Sequence, residues 1–172
     1  IFYEVLLRGF NDSSGDGTGD LRGVTEKLDY LEWLGIDCLW LLPFYESPLA
    51  DGGYDISDFF SVHPDYGTVG DAAELIDEAH RRGMRVIADM VMNHTSDQHP
   101  WFQESRQSRT NPRADWYVWN DDNDRWAEAR VIFVDTEPSN WSWDTQREQY
   151  YWHRFFHHQP DLNFRNPDVA DA

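Results

Sequence analysis

A chain of 172 residues is long enough for one domain with a real core. Its composition, 40% apolar and 27% charged with no run of about 20 apolar residues, excludes a membrane-spanning helix. Thirty-two acidic residues against 14 basic ones give a net charge of −18, which repels a phosphate backbone and excludes nucleic acid as a partner.

In chain order, residues 2–7 read as a short aromatic and aliphatic strand that enters a Gly/Asp/Ser loop over residues 11–20. Val24, Leu28, Leu31 and Leu34 then recur on one face of a helix that Gly35 stops. Residues 38–42, ending at Pro43, form an apolar run expected of a strand buried on both faces. Cys38 lies in that run as a buried structural thiol. With no second cysteine there is no internal disulfide, which places the protein in a reducing compartment, the cytoplasm.

A polar and aromatic loop, residues 44–69, precedes a second helix through Ala72, Leu75, Ile76 and Ala79 that stops at Gly83. Residues 84–92 follow as a third strand, with Asp89, Val91 and Asn93 on one face and His94 opening the turn. This strand and helix alternation argues for parallel βαβ units, with an open doubly wound sheet as the alternative; no Gly-rich phosphate loop follows the first strand. Residues 98–158 break the rhythm and hold seven of the nine Trp. They read as an inserted subdomain, with a strand expected over residues 129–135 and a strand or helix over residues 149–156.

Polar residues gather in the loops after the strands, where ligands of parallel α/β folds bind. The first loop carries Asp12, Ser14, Asp16, Thr18 and Asp20 between glycines, an oxygen-rich turn suited to a hard cation such as Ca²⁺, with Mg²⁺ as the weaker candidate. Position twelve counted from Asp12 is Gly23, so the loop is not an EF-hand. The second loop sets Asp51 and Tyr54 around two glycines, a carboxylate and a ring fit to hold a sugar. Taken singly, His94 could equally be a satisfied structural histidine.

These stretches resemble signatures of the α-amylase superfamily: the loop 11–20, Gly52-Gly-Tyr-Asp-Ile-Ser-Asp-Phe59, Asp89 to His94, and Gln159-Pro-Asp-Leu-Asn163. The last belongs to the oligo-1,6-glucosidase-like branch. Within it, residues 93–106, 130–137, Asn140-Trp141 and 149–156 are similar to the trehalose synthases, maltose α-D-glucosyltransferases. The resemblance implies the N-terminal part of a TIM (β/α)8 barrel: residues 1–97 as three βα units, 98–158 as the inserted subdomain B and 159–172 as the return to the barrel. It also implies a retaining double displacement on a disaccharide.

By the same resemblance the nucleophilic Asp and acid Glu lie beyond residue 172, so no catalytic residue is assigned here, and the chain depends on the remainder of its barrel. Asp51, Tyr54, His94 and Gln159 would bind the reacting glucose, with Asp89 supporting the active site. Ca²⁺ would take Asp12, Ser14, Asp16, the Thr18 carbonyl and Asp20, although relatives usually carry Asn at the Ser14 position, and a second cation site would use Asn93 and Asp161. A hydrolytic α-glucosidase of the same branch and a non-catalytic relative are the competing readings.

Overall fold

The computed structural model describes residues 1–172, which divide into two units, residues 1–46 with 58–90, and residues 47–57 with 91–172. No helix is long and apolar enough to cross a membrane.

In the first unit, β1 (Phe2–Val5), β2 (Cys38–Leu41) and a later strand, β5 (Arg85–Ala88), pair in parallel in the order β1-β2-β5. Registers Tyr3↔Leu39↔Val86 and Glu4↔Trp40↔Ile87 put alternate rows on opposite faces. The first row is covered, while Trp40 and Ile87 in the second are exposed. The expectation that residues 38–42 are buried on both faces is therefore corrected: the crossover helices cover one side of the sheet only.

The first crossover is two helices rather than one, α1 (Leu21–Glu26) and α2 (Leu28–Trp33). The Thr25 hydroxyl donates to the Leu21 carbonyl at 3.0 Å, a competing local bond that loosens a helix, and Lys27 leaves helical geometry two residues later with φ −99° and ψ 3°. Leu21, Val24, Leu28 and Leu31 are nonetheless fully buried, whereas Leu34, expected on the same face, is exposed at the end of α2. Gly35 ends it at φ +81°, the left-handed stop that the sequence suggests.

Residues expected to be loop before the second helix contain a hairpin, β3 (Tyr45–Glu46) with β4 (Asp58–Val62), antiparallel and bulged. Helix α3 (Val69–Arg81) starts with a capping box in which the Thr68 hydroxyl accepts from Asp71 N–H and Asp71 accepts from Thr68 N–H. Leu75 and Ala79 face the core, whereas Ile76 is more than a third exposed. Asp71 also accepts from the Arg22 guanidinium at 2.6 Å.

The Thr68 hydroxyl first, and then Arg22, hold the Asp71 carboxyl down at about 2. Its contribution is fully present above the usual aspartate range and is lost as pH falls toward 2. Thr68→Ala should cost about 1 kcal/mol. It should also flatten the acid limb between pH 4 and 2, which urea melts at several pH values would read. An unchanged limb would remove the capping box from the stability of this helix.

The strand expected over residues 84–92 stops at Ala88. Asp89 N–H still bonds the Leu41 carbonyl at 2.9 Å, but beyond it the backbone leaves the ladder, so Val91 and Asn93 do not continue its face.

The second unit holds α4 (Pro100–Ser105), then β6 (Trp119–Asn120), β7 (Trp141–Asp144) and β8 (Gln149–Trp152) in an antiparallel sheet of order β6-β8-β7, then α5 (Pro167–Ala170). Phe102, Trp116, Tyr117, Tyr151 and Val169 form its core, with Trp101, Trp119 and Leu162 against it. Residues 149–156 thus resolve as strand as far as Trp152. The strand expected over residues 129–135 does not form: the Phe133 carbonyl accepts from Thr136 and Glu137 N–H, a turn, and the Phe133 ring stacks on Phe156 at 4.2 Å. Phe133 thus serves ring stacking in place of a ladder.

Candidate functional site

Four of the predicted sugar-binding residues, Asp51, Tyr54, His94 and Gln159, lie in the second unit. They come together because residues 93–97 run antiparallel to residues 158–162: Leu162 N–H bonds the Asn93 carbonyl, Thr95 N–H that of Pro160 and Asp97 N–H that of His158. Ser96 N–H bonds the Ile56 carbonyl at 2.8 Å and ties in the glycine turn.

Within that turn Gly52 and Gly53 have φ of 61° and 107°, a reversal that side chains resist, and Tyr54 N–H closes it on the Asp51 carbonyl. Asp55, almost wholly buried, accepts from Ser47 Oγ, Ala50 N–H and Asp51 N–H. It is the pillar of the turn, a role that a lone Asp in a polar motif does not announce.

Gln159 is fully buried, and its amide orientation is fixed: Oε1 accepts from Phe156 N–H, and Nε2 donates to Asp51 Oδ2 at 2.8 Å. Asp51 is therefore aimed by a neutral donor and stays partly exposed. His94 is buried, and burial lowers its pKa, so the ring is neutral near pH 7. Nε2 lies 3.1 Å from the Tyr54 carbonyl and Nδ1 3.3 Å from Asn93 Nδ2. Only the Nε2–H tautomer satisfies both, donating to the carbonyl and accepting from the amide. Half-buried Tyr54 completes the group.

Two neighbours escape the sequence reading. The Phe155 ring stands 5.2 Å from His94, giving the cluster an apolar wall. His158 Nε2 is buried without a hydrogen-bond partner, stacked on Phe156 at 5.2 Å, and a cationic His158 would further disfavour a charged His94. The aromatic run from Tyr150 to Phe156 suits a strand or a helix, but nothing in it marks which ring meets a ligand.

Asn93 Nδ2 donates to Asp161 Oδ1 at 3.0 Å, and Arg154 N–H reaches the same oxygen. Burial raises the Asp161 carboxyl to about 6. This amide and carboxylate pair bonds internally.

In the first unit, the loop of residues 11–20 is organised by its own N–H groups. Asp12 accepts from Ser14, Gly15 and Gly17, and Asp16 accepts from Thr18. Those backbone bonds, led by Gly17 and Gly15, lower the Asp12 carboxyl. Asp20 caps α1 by accepting from Gly23 N–H at 2.6 Å and is also bonded by Ser13. The donor set is all oxygen, as a hard cation requires, but no three acidic, His or Cys side chains converge into a group able to hold one. Asp89, also in this unit, is half-buried, and its charge adds to the burial that raises Tyr45.

The cluster in the second unit can accept from hydroxyls at Asp51, stack a ring on Tyr54 or Phe155, and exclude charge from His94. A trehalose synthase/amylase, TreS, of Mycolicibacterium smegmatis is 66% identical over all 172 residues, which span 29% of that protein. A probable alpha-glucosidase of Rhizobium meliloti is 48% identical, again over the whole chain and 31% of the relative. Among solved structures, a MutB mutant in complex with its substrate sucrose superposes with a TM-score of 0.92 at 47% identity, covering 99% of this chain and 31% of the other. The alpha-amylase catalytic domain matches residues 4–172, and the chain belongs to that family.

Proposed function

We propose that this chain supplies part of the glucose pocket of an enzyme that interconverts maltose and trehalose by retaining, intramolecular glucosyl transfer. The observation that carries the reading is the bonded set Gln159, Asp51, Tyr54 and His94, in a chain 66% identical to a trehalose synthase/amylase and 48% identical to an alpha-glucosidase. In this reading, residues 1–97 are three βα units of a (β/α)8 barrel, 98–158 an aromatic subdomain inserted after the third, and 159–172 the return. The open face of the first sheet, with Trp40 and Ile87 exposed, suits the interior of such a barrel.

The roles follow from the local chemistry. Asp51 accepts from sugar hydroxyls while Gln159 holds its other oxygen. Neutral His94 exchanges the Tyr54 carbonyl for a hydroxyl as acceptor of its Nε2–H, and Tyr54 and Phe155 meet the C–H faces of the ring. These contacts tighten as the sugar flattens toward an oxocarbenium ion, which lowers the barrier. The carboxylate pair that breaks and remakes the bond lies about 5 to 5.5 Å apart in retaining enzymes, and we place it on later strands than those of this chain. Transfer without loss to water needs a closed pocket, and the stacked pair Phe133 and Phe156, with Phe155 tilted against Phe133, is the means.

The test is incubation of the whole reading frame containing this chain with maltose, following trehalose against free glucose. Trehalose as the main product is expected; glucose alone would favour the hydrolytic reading, and neither would defeat both.

For Ca²⁺, the proposal needs the carboxylates of Asp12, Asp16 and Asp20 to turn from N–H donors to the ion, with Ser14 Oγ and the Thr18 carbonyl joining them. Asn93 and Asp161 form the second candidate pair. Calcium should raise the melting temperature of the chain, and Asp12→Asn with Asp16→Asn should abolish the rise. A rise that persists in the double variant would move the ion elsewhere.

A further inference from the structure

A cavity of about 310 Å³ in the second unit shares no residue with the sugar cluster. Its volume lies just inside the range of about 300–1,000 Å³ of small-molecule sites. Trp119, Trp126, Arg125, Arg147 and Arg165 line it, with Asp115 as the one acidic residue. In a chain of net charge −18 the local excess of cations is an inversion of the general balance.

The indoles hold guanidiniums. Arg125 lies 4.2 Å over Trp126, which also stacks on Trp141, and Arg147 lies 4.3 Å over Trp119, which also stacks on Phe102. Rings so engaged offer edges to a ligand, whereas a guanidinium flat on an indole keeps its N–H edge for an anion.

Neither Arg125 nor Arg165 takes part in an ion pair, despite the abundance of carboxylates. Arg147 spends Nε on Gln149 and Nη1 on the Ser105 carbonyl, which fixes its plane. Burial first, and then Arg109, lower it to about 10, against the pull of Asp144, Asp115 and Asp121. Asp115 is turned to Asn166, whose Nδ2 it accepts at 3.0 Å, so the lining itself carries three guanidiniums against one engaged carboxylate.

We propose that this cavity binds a phosphate group, held by the edges of Arg125 and Arg165 and by Nη2 of Arg147. Bidentate guanidinium contacts suit a phosphate's oxygens, and the volume beyond them accommodates a polar body such as a sugar. The ligand is free phosphate or a phosphorylated sugar.

Isothermal titration of the full chain with inorganic phosphate, glucose 6-phosphate and glucose at fixed ionic strength tests this. One saturable site is expected for both phosphate carriers, with dissociation constants below about 1 mM, and none for glucose. Tenfold tighter glucose 6-phosphate would assign the sugar phosphate; equal affinities would assign the phosphate group alone. Arg125→Gln and Arg165→Gln, both at exposed positions, should each weaken binding about tenfold with the circular dichroism spectrum unchanged. Arg8→Gln, an exposed change outside the cavity, should leave it unaltered. No saturable binding up to about 10 mM, or equal weakening by Arg8→Gln, would overturn the proposal.

Discussion

Asp51→Asn, made in the enzyme that contains this chain, should lower kcat/KM for maltose by about 10³-fold, with most of the loss in kcat. Asn keeps the shape and can still accept from Gln159 Nε2, so the turn on Asp55 stands and only the charge is lost. A carboxylate held by a neutral amide in a partly buried cluster keeps its charge for the sugar. That charge matters most when the ring carries positive character, which is why the transition state suffers more than the ground state. Gln159→Leu should give a smaller loss, about 10- to 100-fold, by unaiming Asp51 and stranding Phe156 N–H. Steady-state kinetics on purified variants with matched melting curves would decide it. An Asp51→Asn enzyme within threefold of its parent would remove Asp51 from the pocket.

The order of the two predictions reflects what each residue touches. Gln159 spends both ends of its amide inside the chain and acts through Asp51, whereas Asp51 is partly open to a ligand. From the motif alone the two looked alike. The resemblance implied one site for residues 51, 54, 94 and 159, and the structure bonds Gln159 to Asp51 and His94 to the Tyr54 carbonyl. Sequence spacing could not tell that residues 93–97 would pair antiparallel with 158–162, since a few isolated bridges between distant segments leave no periodicity.

The same limit explains the misses in the fold. Leu28 and Leu31 lie on the face that the spacing indicates, but one hydroxyl, that of Thr25, splits the helix that the spacing joins. At residues 129–135 the short apolar run is real, yet Phe133 finds a parallel ring in Phe156 and the backbone turns on its carbonyl. In each case a single contact between side chains, or between side chain and backbone, overrode a pattern that averages over several residues. Buried Asp55 and Phe155 were missed for the complementary reason: they support the site from behind or beside it, where no motif chemistry distinguishes them.

Gly23→Ala gives the sharpest contrast between local propensity and packing. Gly23 sits inside α1, where Ala is favoured by roughly 1 kcal/mol, so the helix considered alone is stabilised by the change. Its added Cβ, however, would stand 1.9 Å from the Asn11 carbonyl oxygen and 2.7 Å from the Asn11 carbonyl carbon. That carbonyl cannot simply retreat, because it accepts from Asp20 N–H at 3.1 Å, and Asp20 in turn caps α1 through Gly23 N–H. Relief of the clash breaks one or both bonds, so the net cost should reach about 3 kcal/mol or more. For a chain of this size that is a fall in melting temperature of roughly 6–12 °C. Gly35→Ala is the control: φ is +81° but no atom lies within 4 Å, so only backbone strain of about 1 kcal/mol applies. Differential scanning calorimetry of both variants reads the difference. A Gly23→Ala protein that melts above its parent would mean that the loop of residues 11–20 gives way at little cost, and that helix propensity outweighs the close approach of Asn11.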